Sequence, residues 1–241
     1  MTAAVSRWSI GVVIPARNEE ATIAACIDSV LVAGETHRRR GDLWVVVVAD
    51  TSSDHTASLA RTAIGSCGEV IEATAGSAGA ARRLGVAAVM KRFRGVEPQR
   101  IWLANTDADT CVCRDWIDVQ LRLADQGVTG VAGIVRLEPG GTPEMHEAFR
   151  QSYAIGEDGT HTHVHGANIA VRADAYLDIG GWTDRTVAED HCLWRRLHRR
   201  GWRVTSPASS VVITSARLKG RAAGGFADTM KARIAARHAA T

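Results

Sequence analysis

Four short apolar segments, alternating with segments of helical spacing, constrain the fold more than any other feature of the chain. We predict strands at Trp8–Ile14, Leu43–Ala49, Glu69–Ala73 and Arg100–Ala104. Helices are expected between them at Glu19–Val32, Thr56–Ala63 and Gly79–Arg92. Because Pro lacks an N–H, Pro15 is expected to end the first strand. This alternation is typical of an α/β fold with a mostly parallel sheet covered by helices on both faces.

The second half of the chain is less regular. We predict helices at Trp116–Leu123 and Val187–Arg200, and one continuous strand at Val128–Leu137. Further predicted segments are a Gly/Pro loop at Pro139–Pro143, and short strands at Ala167–Val171, Arg203–Thr205 and Val211–Thr214. A length of 241 residues fits a single domain.

Polar residues follow three of the predicted strands. They are Pro15-Ala16-Arg17-Asn18-Glu19, Asp50-Thr51-Ser52-Ser53-Asp54 and Asn105-Thr106-Asp107-Ala108-Asp109. Ligands of parallel α/β sheets bind beyond the carboxyl ends of the strands. These three segments are therefore expected to form one site at one edge of the sheet.

The third segment carries two carboxylates, Asp107 and Asp109, on either side of the small Ala108. Mg²⁺ and Mn²⁺ prefer carboxylate and phosphate oxygens, so this pattern favours a metal site that also binds a diphosphate. The plain alternative is a capped turn after a strand. Asp50 is expected to accept hydrogen bonds from a base or ribose, and its alternative role is a turn cap with Ser52 or Ser53.

Other classes of protein are disfavoured. The chain has no G-x-x-x-x-G-K-[ST] and no glycine-rich turn after its first strand, so neither a P-loop nor a dinucleotide-binding site is indicated. A net charge of +3 and 5% aromatic residues argue against a nucleic-acid partner. No apolar run approaches the roughly 20 residues of a membrane helix. We expect a cytoplasmic protein without a transmembrane segment, with peripheral membrane contact left open.

Several blocks of the chain, taken together and in order, resemble the family 2 inverting glycosyltransferases. The blocks are Val12–Glu20, Val48–Thr56, Gly79–Gly85, Asp107–Asp109, Gly166–Arg172, Gly180–Trp182 and Val187–Leu193. The resemblance covers about residues 10–202. It implies a GT-A fold in residues 1–241, with a nucleotide-sugar-binding half at about 8–109 and an acceptor half with a C-terminal tail at about 110–241.

The resemblance also implies a reaction and its residues. A sugar moves from a nucleoside-diphosphate sugar to an acceptor hydroxyl with inversion, assisted by Mg²⁺ or Mn²⁺ at Asp107 and Asp109, and Asp190 is the expected general base. The implied acceptor-binding residues are Asn168, Trp182 and Glu189. The implied donor-binding residues are Pro15, Arg17, Asn18, Glu19, Asp50, Arg82, Arg83, Asp107 and Ala108. Uridine is the base that the resemblance favours, and the acceptor is expected to be a small molecule, a lipid-linked sugar or a glycan.

The chain departs from the family pattern in three places. Ala49 replaces an Asp, Arg83 stands where Asn is usual, and no histidine near Val211–Ser215 supplies a third metal ligand. A residue of the basic tail from Arg217 onward, which contains Gly220, Gly224 and Gly225, is a candidate substitute, and this tail is expected to fold over the donor diphosphate. His161, His163 and His165 are expected to lie on an acceptor loop, with a zinc site as the alternative. A nucleotidyltransferase and a catalytically silent nucleotide-sugar-binding protein remain as alternative functions.

Overall fold

The structure, a computed structural model, describes residues 8–39, 42–140, 142–185 and 187–217. Its strands are β1 (Ser9–Ala16), β2 (Leu43–Asp50), β3 (Gly68–Ala73), β4 (Ile101–Asn105), β5 (Thr110–Val112), β6 (Gly130–Ala132), β7 (Ile134–Leu137), β8 (Ile169–Arg172), β9 (Val204–Thr205) and β10 (Val211–Thr214). Its α-helices are α1 (Ile23–Ala33), α2 (Glu35–Arg39), α3 (Thr56–Ile64), α4 (Ala78–Arg92), α5 (Trp116–Asp125), α6 (Pro143–Ser152), α7 (Ala173–Asp178) and α8 (Glu189–Arg199).

Seven strands form the main sheet in the order β3-β2-β1-β4-β8-β6-β9. The first four of these run parallel, and β9 runs parallel to β6, whereas β8 is antiparallel to both β4 and β6. Val13 lies at the centre, between Val46 of β2 and Asn105 of β4. The prediction of a mixed, mostly parallel sheet flanked by helices is confirmed.

The helices cover both faces of the sheet because the strand side chains alternate between two apolar clusters. Val45 and Val47 of β2 belong to the cluster beneath α1, α3 and α5. Val46 and Val48 face the opposite cluster, which includes residues of α4, α7 and α8. All four valines are fully buried, so a strand buried on both faces reads in sequence as a continuous apolar run.

The predicted strand Val128–Leu137 is wrong as a single element. It divides into β6, in the main sheet, and β7, in a second sheet of order β5-β10-β7. Gly133 lies at the break, where a Cβ would overlap the Asn168 side-chain amide and the Ser210 carbonyl oxygen. The chain changes sheets here because only glycine leaves room for that approach.

Two further expectations need correction. Pro15 does not end β1, since Pro15 and Ala16 continue the parallel register opposite Val48 and Ala49. Proline removes one donor, but its fixed φ is compatible with extended backbone.

The short elements β5, α6 and α7 were not predicted, because they contain ten residues or fewer and carry little periodic signal. In the part of the chain that the structure describes, no helix is both long and apolar enough to span a bilayer.

Candidate active site

The ends of β1 and β2 are joined by hydrogen bonds through Asn18. Its side-chain oxygen accepts from the Ser53 backbone N–H at 2.8 Å, and its own N–H donates to the Ser52 hydroxyl at 3.1 Å. Asn18 has a positive φ of 53°, which Asn tolerates better than most residues. The following residue, Glu19, donates its N–H to the Thr56 hydroxyl at 2.7 Å. The two polar segments therefore form one continuous wall, and Arg17 of the first segment is exposed.

Asp50 connects this wall to the segment after β3. Its Oδ1 accepts hydrogen bonds from the backbone N–H groups of Ala75 at 2.7 Å and Gly76 at 3.2 Å, and from the Thr51 hydroxyl at 3.0 Å. The side chain is 6% exposed. As its alternative role, Asp50 was expected to cap a turn with Ser52 or Ser53. In the structure Asp50 instead binds the loop at Ala75 and Gly76, and it thereby shapes the rim of the site.

Arg82, on the first turns of α4, joins the two halves of the chain. Its Nη2 donates to Asp107 Oδ1 and its Nη1 donates to Glu189 Oε1, each at 2.6 Å. The residue is 2% exposed and packs closely against Gly166, where a Cβ would overlap the guanidinium. A side chain at position 166 would therefore displace the guanidinium from its present position between the two carboxylates.

Charge balance explains why a guanidinium is stable at this buried position. Burial by itself lowers the pKa of Arg82, but the negative charges of Asp107 and Glu189 outweigh it, and the pKa is raised. The guanidinium also lies 5.1 Å from the centre of the Trp182 ring. Arg82 is permanently charged and fixed in position. The adjacent Arg83, in contrast, forms a half-exposed ion pair with Asp184 at 2.8 Å.

Asp109 pairs with Arg217, which lies three residues after β10. Arg217 Nη2 lies 2.9 Å from Asp109 Oδ2 and 2.5 Å from Glu19 Oε1, and Nη1 donates to Glu19 Oε2 at 2.7 Å. Burial and the charge of Asp107 raise the pKa of Asp109 to about 6, although Arg217 acts in the opposite direction. Asp109, with 18% of its side chain accessible, thus lies between a second carboxylate and a guanidinium.

The carboxylates of Asp107 and Asp109 fit a hard divalent cation by their chemistry. Each has one oxygen held by an arginine, Asp107 Oδ1 by Arg82 and Asp109 Oδ2 by Arg217, and Ala108 between them is buried. Within the described residues, no group of three or more His, Cys, Asp or Glu side chains is arranged to hold a metal ion. A cation here would take further ligands from outside the protein, for which the phosphate oxygens of a donor are suitable.

Asp190, the expected general base, lies at the beginning of α8. Its Oδ2 accepts from the Gly166 N–H at 2.9 Å, and its Oδ1 accepts from the His191 N–H at 2.7 Å. Ala188, two residues before Asp190, has a left-handed backbone with φ 57°. These contacts aim the carboxylate from a helix N-terminus, which stabilises negative charge.

A family model described as "Glycosyltransferase like family 2" matches residues 7–234. The chain belongs to this family. No curated protein matches the chain. The resemblance seen in the sequence blocks is thereby confirmed for nearly the whole length of this family 2 chain.

Solved structures show the fold of the family 2 chain. The superposition on a mannosyltransferase, PcManGT from Pyrobaculum calidifontis solved with GDP-Man and Mn²⁺, covers 98% of this chain and 66% of PcManGT (20% identity, TM-score 0.67). The superposition on GalNAc-T7, solved with UDP, GalNAc and Mn²⁺, covers 97% of this chain and 48% of GalNAc-T7 (15% identity, TM-score 0.66). The superposition on TarS 1–349 from S. aureus, solved in complex with UDP, covers 96% of this chain and 72% of the TarS chain (16% identity, TM-score 0.63). The predicted GT-A fold is confirmed, and the chain spans less than two thirds of the first two neighbours.

Two expected acceptor residues of the family 2 chain are enclosed by protein. Asn168 is fully buried; its amide oxygen accepts from Trp116 Nε1 at 2.8 Å, and its Nδ2 donates to the carbonyl oxygens of Ile134 at 2.9 Å and Ser210 at 3.0 Å. Trp182 is 1% exposed. In this conformation Asn168 ties the main sheet to the second sheet, and Trp182 packs beneath Arg82.

The three histidines group around Tyr153 of the segment after α6. The Tyr153 ring centre lies 4.3 Å from that of His163, and about 6 Å from those of His161 and His165 (6.0 and 5.9 Å). Burial lowers the pKa of His165 to about 4, so this imidazole is neutral at physiological pH. Packing of aromatic rings accounts for the spacing of these histidines, and they lie on a loop between α6 and β8, as expected.

Sequence reasoning missed the roles of Gly166 and Arg217. Both stand in segments that were noted, but neither was named as a site residue. The rule that functional groups follow strand ends would have found Arg217, since it lies three residues after β10. No sequence signal shows that Gly166 faces Arg82. The residues beyond Arg217, including Gly220, Gly224 and Gly225, lie outside the described residues.

Proposed function

We propose that this protein transfers a sugar from a nucleoside-diphosphate sugar to an acceptor hydroxyl, with inversion at the anomeric carbon. The observation that carries the proposal is the buried bridge from Asp107 through Arg82 to Glu189. It fixes the carboxylates expected at the donor diphosphate against the helix that carries Asp190. A transfer reaction needs donor and base held in one geometry, and a fixed bridge between their expected positions supports the proposal.

Asp190 is proposed as the general base. Its two oxygens each accept one backbone N–H, which orients the carboxylate and leaves lone pairs to accept the proton of an acceptor hydroxyl. The acceptor oxygen then bonds to the anomeric carbon, while the bond from that carbon to the diphosphate oxygen breaks. The nucleoside diphosphate departs with the bonding electron pair.

The donor side is proposed to comprise residues 8–109, and the acceptor side the described residues from 110 onward. Asp107 and Asp109 would hold Mg²⁺ or Mn²⁺, which when bound neutralises charge on the departing diphosphate. Asn18, Glu19 and Asp50 shape the donor wall, with Pro15, Arg17 and Ala108 around it. Asn168 and Trp182 are proposed to support the residues that line the acceptor pocket without touching the acceptor, because both side chains are buried.

The nucleoside is open to experiment because the neighbours were solved with both UDP and GDP-Man. Uridine remains our proposal for the base. A cytoplasmic location also stays a prediction. A catalytically silent donor-binding protein is the second function that the same experiment addresses, since it would bind the nucleotide without turnover.

Thermal-shift measurements with UDP, GDP, TDP and CDP, each with Mn²⁺, Mg²⁺ or EDTA, test the donor site. A ligand that binds only the folded state raises the melting temperature by mass action. We expect one nucleotide to stabilise the protein in a metal-dependent way, and its sugar conjugates to be turned over with inversion, as read by proton NMR of the product. Absence of a shift with every nucleotide would overturn the proposed function, and a shift without turnover would favour the silent binding protein.

A further inference from the structure

Arg217 occupies a position that the proposed function does not explain. Its guanidinium forms three contacts of 2.9 Å or less with Glu19 and Asp109. Glu19 belongs to the segment after β1, Asp109 follows β4, and Arg217 follows β10. One cation thus joins three separate strand ends at the expected diphosphate and metal position.

The pairing is firm in this conformation. The two nitrogens Nη1 and Nη2 meet the two oxygens of Glu19 side by side, which is the strongest geometry between arginine and a carboxylate. Glu19 is 5% exposed, so its charge requires a partner. Arg217 is only partly exposed, with 28% of its side chain accessible, and therefore still borders the open site.

Arg217 and a divalent cation would compete for the carboxylate of Asp109. Its Oδ2 is held by Arg217, whereas its Oδ1 accepts a long hydrogen bond of 3.4 Å from the Thr110 hydroxyl. A divalent cation at Asp107 and Asp109 would lie within a few ångströms of the guanidinium, and the two positive charges repel each other. A donor diphosphate would bring oxygens that accept from arginine as well as a carboxylate does.

We propose that Arg217 is an exchangeable cation of the donor site: it neutralises Asp109 and Glu19 while the metal is absent, and it transfers its hydrogen bonds to the donor diphosphate when metal and donor bind together. This inference rests on the proposed donor site. Arg217 is thereby a donor-contacting residue that disfavours metal without nucleotide.

The test measures Mn²⁺ binding by electron paramagnetic resonance, and binding of UDP and GDP in saturating Mn²⁺ by calorimetry. In Arg217→Gln we expect Mn²⁺ alone to bind about tenfold more tightly, because a neighbouring positive charge is gone. We expect the nucleotide to bind about tenfold more weakly, because a charge-assisted hydrogen bond to phosphate is lost. A merely structural role would weaken both.

Two variants separate charge from geometry. Arg217→Lys keeps the positive charge without the paired contacts, so its Mn²⁺ affinity should stay near that of the wild type. Arg200→Gln breaks an exposed pair with Asp178, at the far end of α8, and should leave both affinities unchanged.

Unchanged or weaker Mn²⁺ binding by folded Arg217→Gln overturns the proposal while leaving the transferase function in place. Metal-dependent nucleotide binding that survives at full strength in Arg217→Gln also overturns it. If wild-type protein and Arg217→Gln both fail to bind Mn²⁺ and every nucleotide, the proposed function fails and the exchange of Arg217 fails with it.

Discussion

Arg82 Nη1 donates a hydrogen bond to Glu189 Oε1 at 2.6 Å, although 107 positions separate the two residues in the chain. Arg82 lies on α4, among the parallel strands of the first half. Glu189 begins α8, beside the proposed base. The same guanidinium also holds Asp107, so the contact places one end of α8 at a fixed distance from the expected donor carboxylates.

Replacing Arg82 by Gln should destabilise the fold by about 3 kcal/mol or more, because removal of the guanidinium leaves the buried Glu189 carboxylate unpaired. The free energy of unfolding in urea measures this loss. Arg83→Gln is the matched control, since its partner Asp184 is exposed and such surface pairs contribute less than about 1 kcal/mol. Equal effects of the two substitutions would contradict the bridging role of Arg82.

Asp190→Asn should lower the turnover number by about 10²- to 10⁴-fold, the usual contribution of a positioned general base. Affinity for the donor nucleotide should stay close to the wild-type value, since the proposal assigns Asp190 to the acceptor hydroxyl. Steady-state kinetics and calorimetry separate the two quantities. Asp178→Asn, in the exposed pair with Arg200, should retain full turnover. Persistent turnover in Asp190→Asn would refute the assignment of the base.

Asn168→Ala should cost about 3 kcal/mol of stability, because the Trp116 indole N–H and the carbonyl oxygens of Ile134 and Ser210 lose partners. Denaturant unfolding measures the cost, and Gln126→Ala, at an exposed position, is the control. If the stability of Asn168→Ala matched that of the control, the junction between the two sheets would not depend on this amide.

Stability should fall as the pH is lowered from about 6.5 to about 4, in part because of His165. Burial lowers the pKa of its imidazole from 6.5 to about 4 in the folded protein, so the unfolded chain takes up the proton first. The free energy of unfolding at pH 7 and pH 5 should differ less in His165→Gln than in the wild type. The exposed His198, replaced by Gln, is the control. An imidazole titration midpoint near 6.5 for His165 in NMR would show that the prediction is wrong.

The local pattern of the sequence predicted most elements of the first half. β2 was expected at Leu43–Ala49 and extends one residue further, and α4 was expected at Gly79–Arg92 and begins one residue earlier. A strand buried on both faces leaves an unbroken apolar run, and a helix leaves its own period, so both can be read without neighbours.

The boundaries of elements were predicted wrongly where they depend on residues distant in the chain. The break between β6 and β7 exists because Gly133 admits Asn168, and the sequence around Gly133 carries no sign of that contact. The helix α1 begins at Ile23 and not at the predicted Glu19. The Glu19 carbonyl oxygen accepts a hydrogen bond from the Thr22 N–H in a turn, and the Glu19 side chain pairs with the distant Arg217.

The sequence by itself determined which residues follow the strands, and therefore that Asp50, Asp107 and Asp109 belong to one edge of the sheet. That follows from chain direction alone, since parallel strands end on the same side. Only the tertiary structure decided which arginine meets which carboxylate. Arg82 and Arg83 are alike in sequence, yet one is buried between Asp107 and Glu189 and the other faces solvent, because a helix turns its side chains by about 100° from one residue to the next.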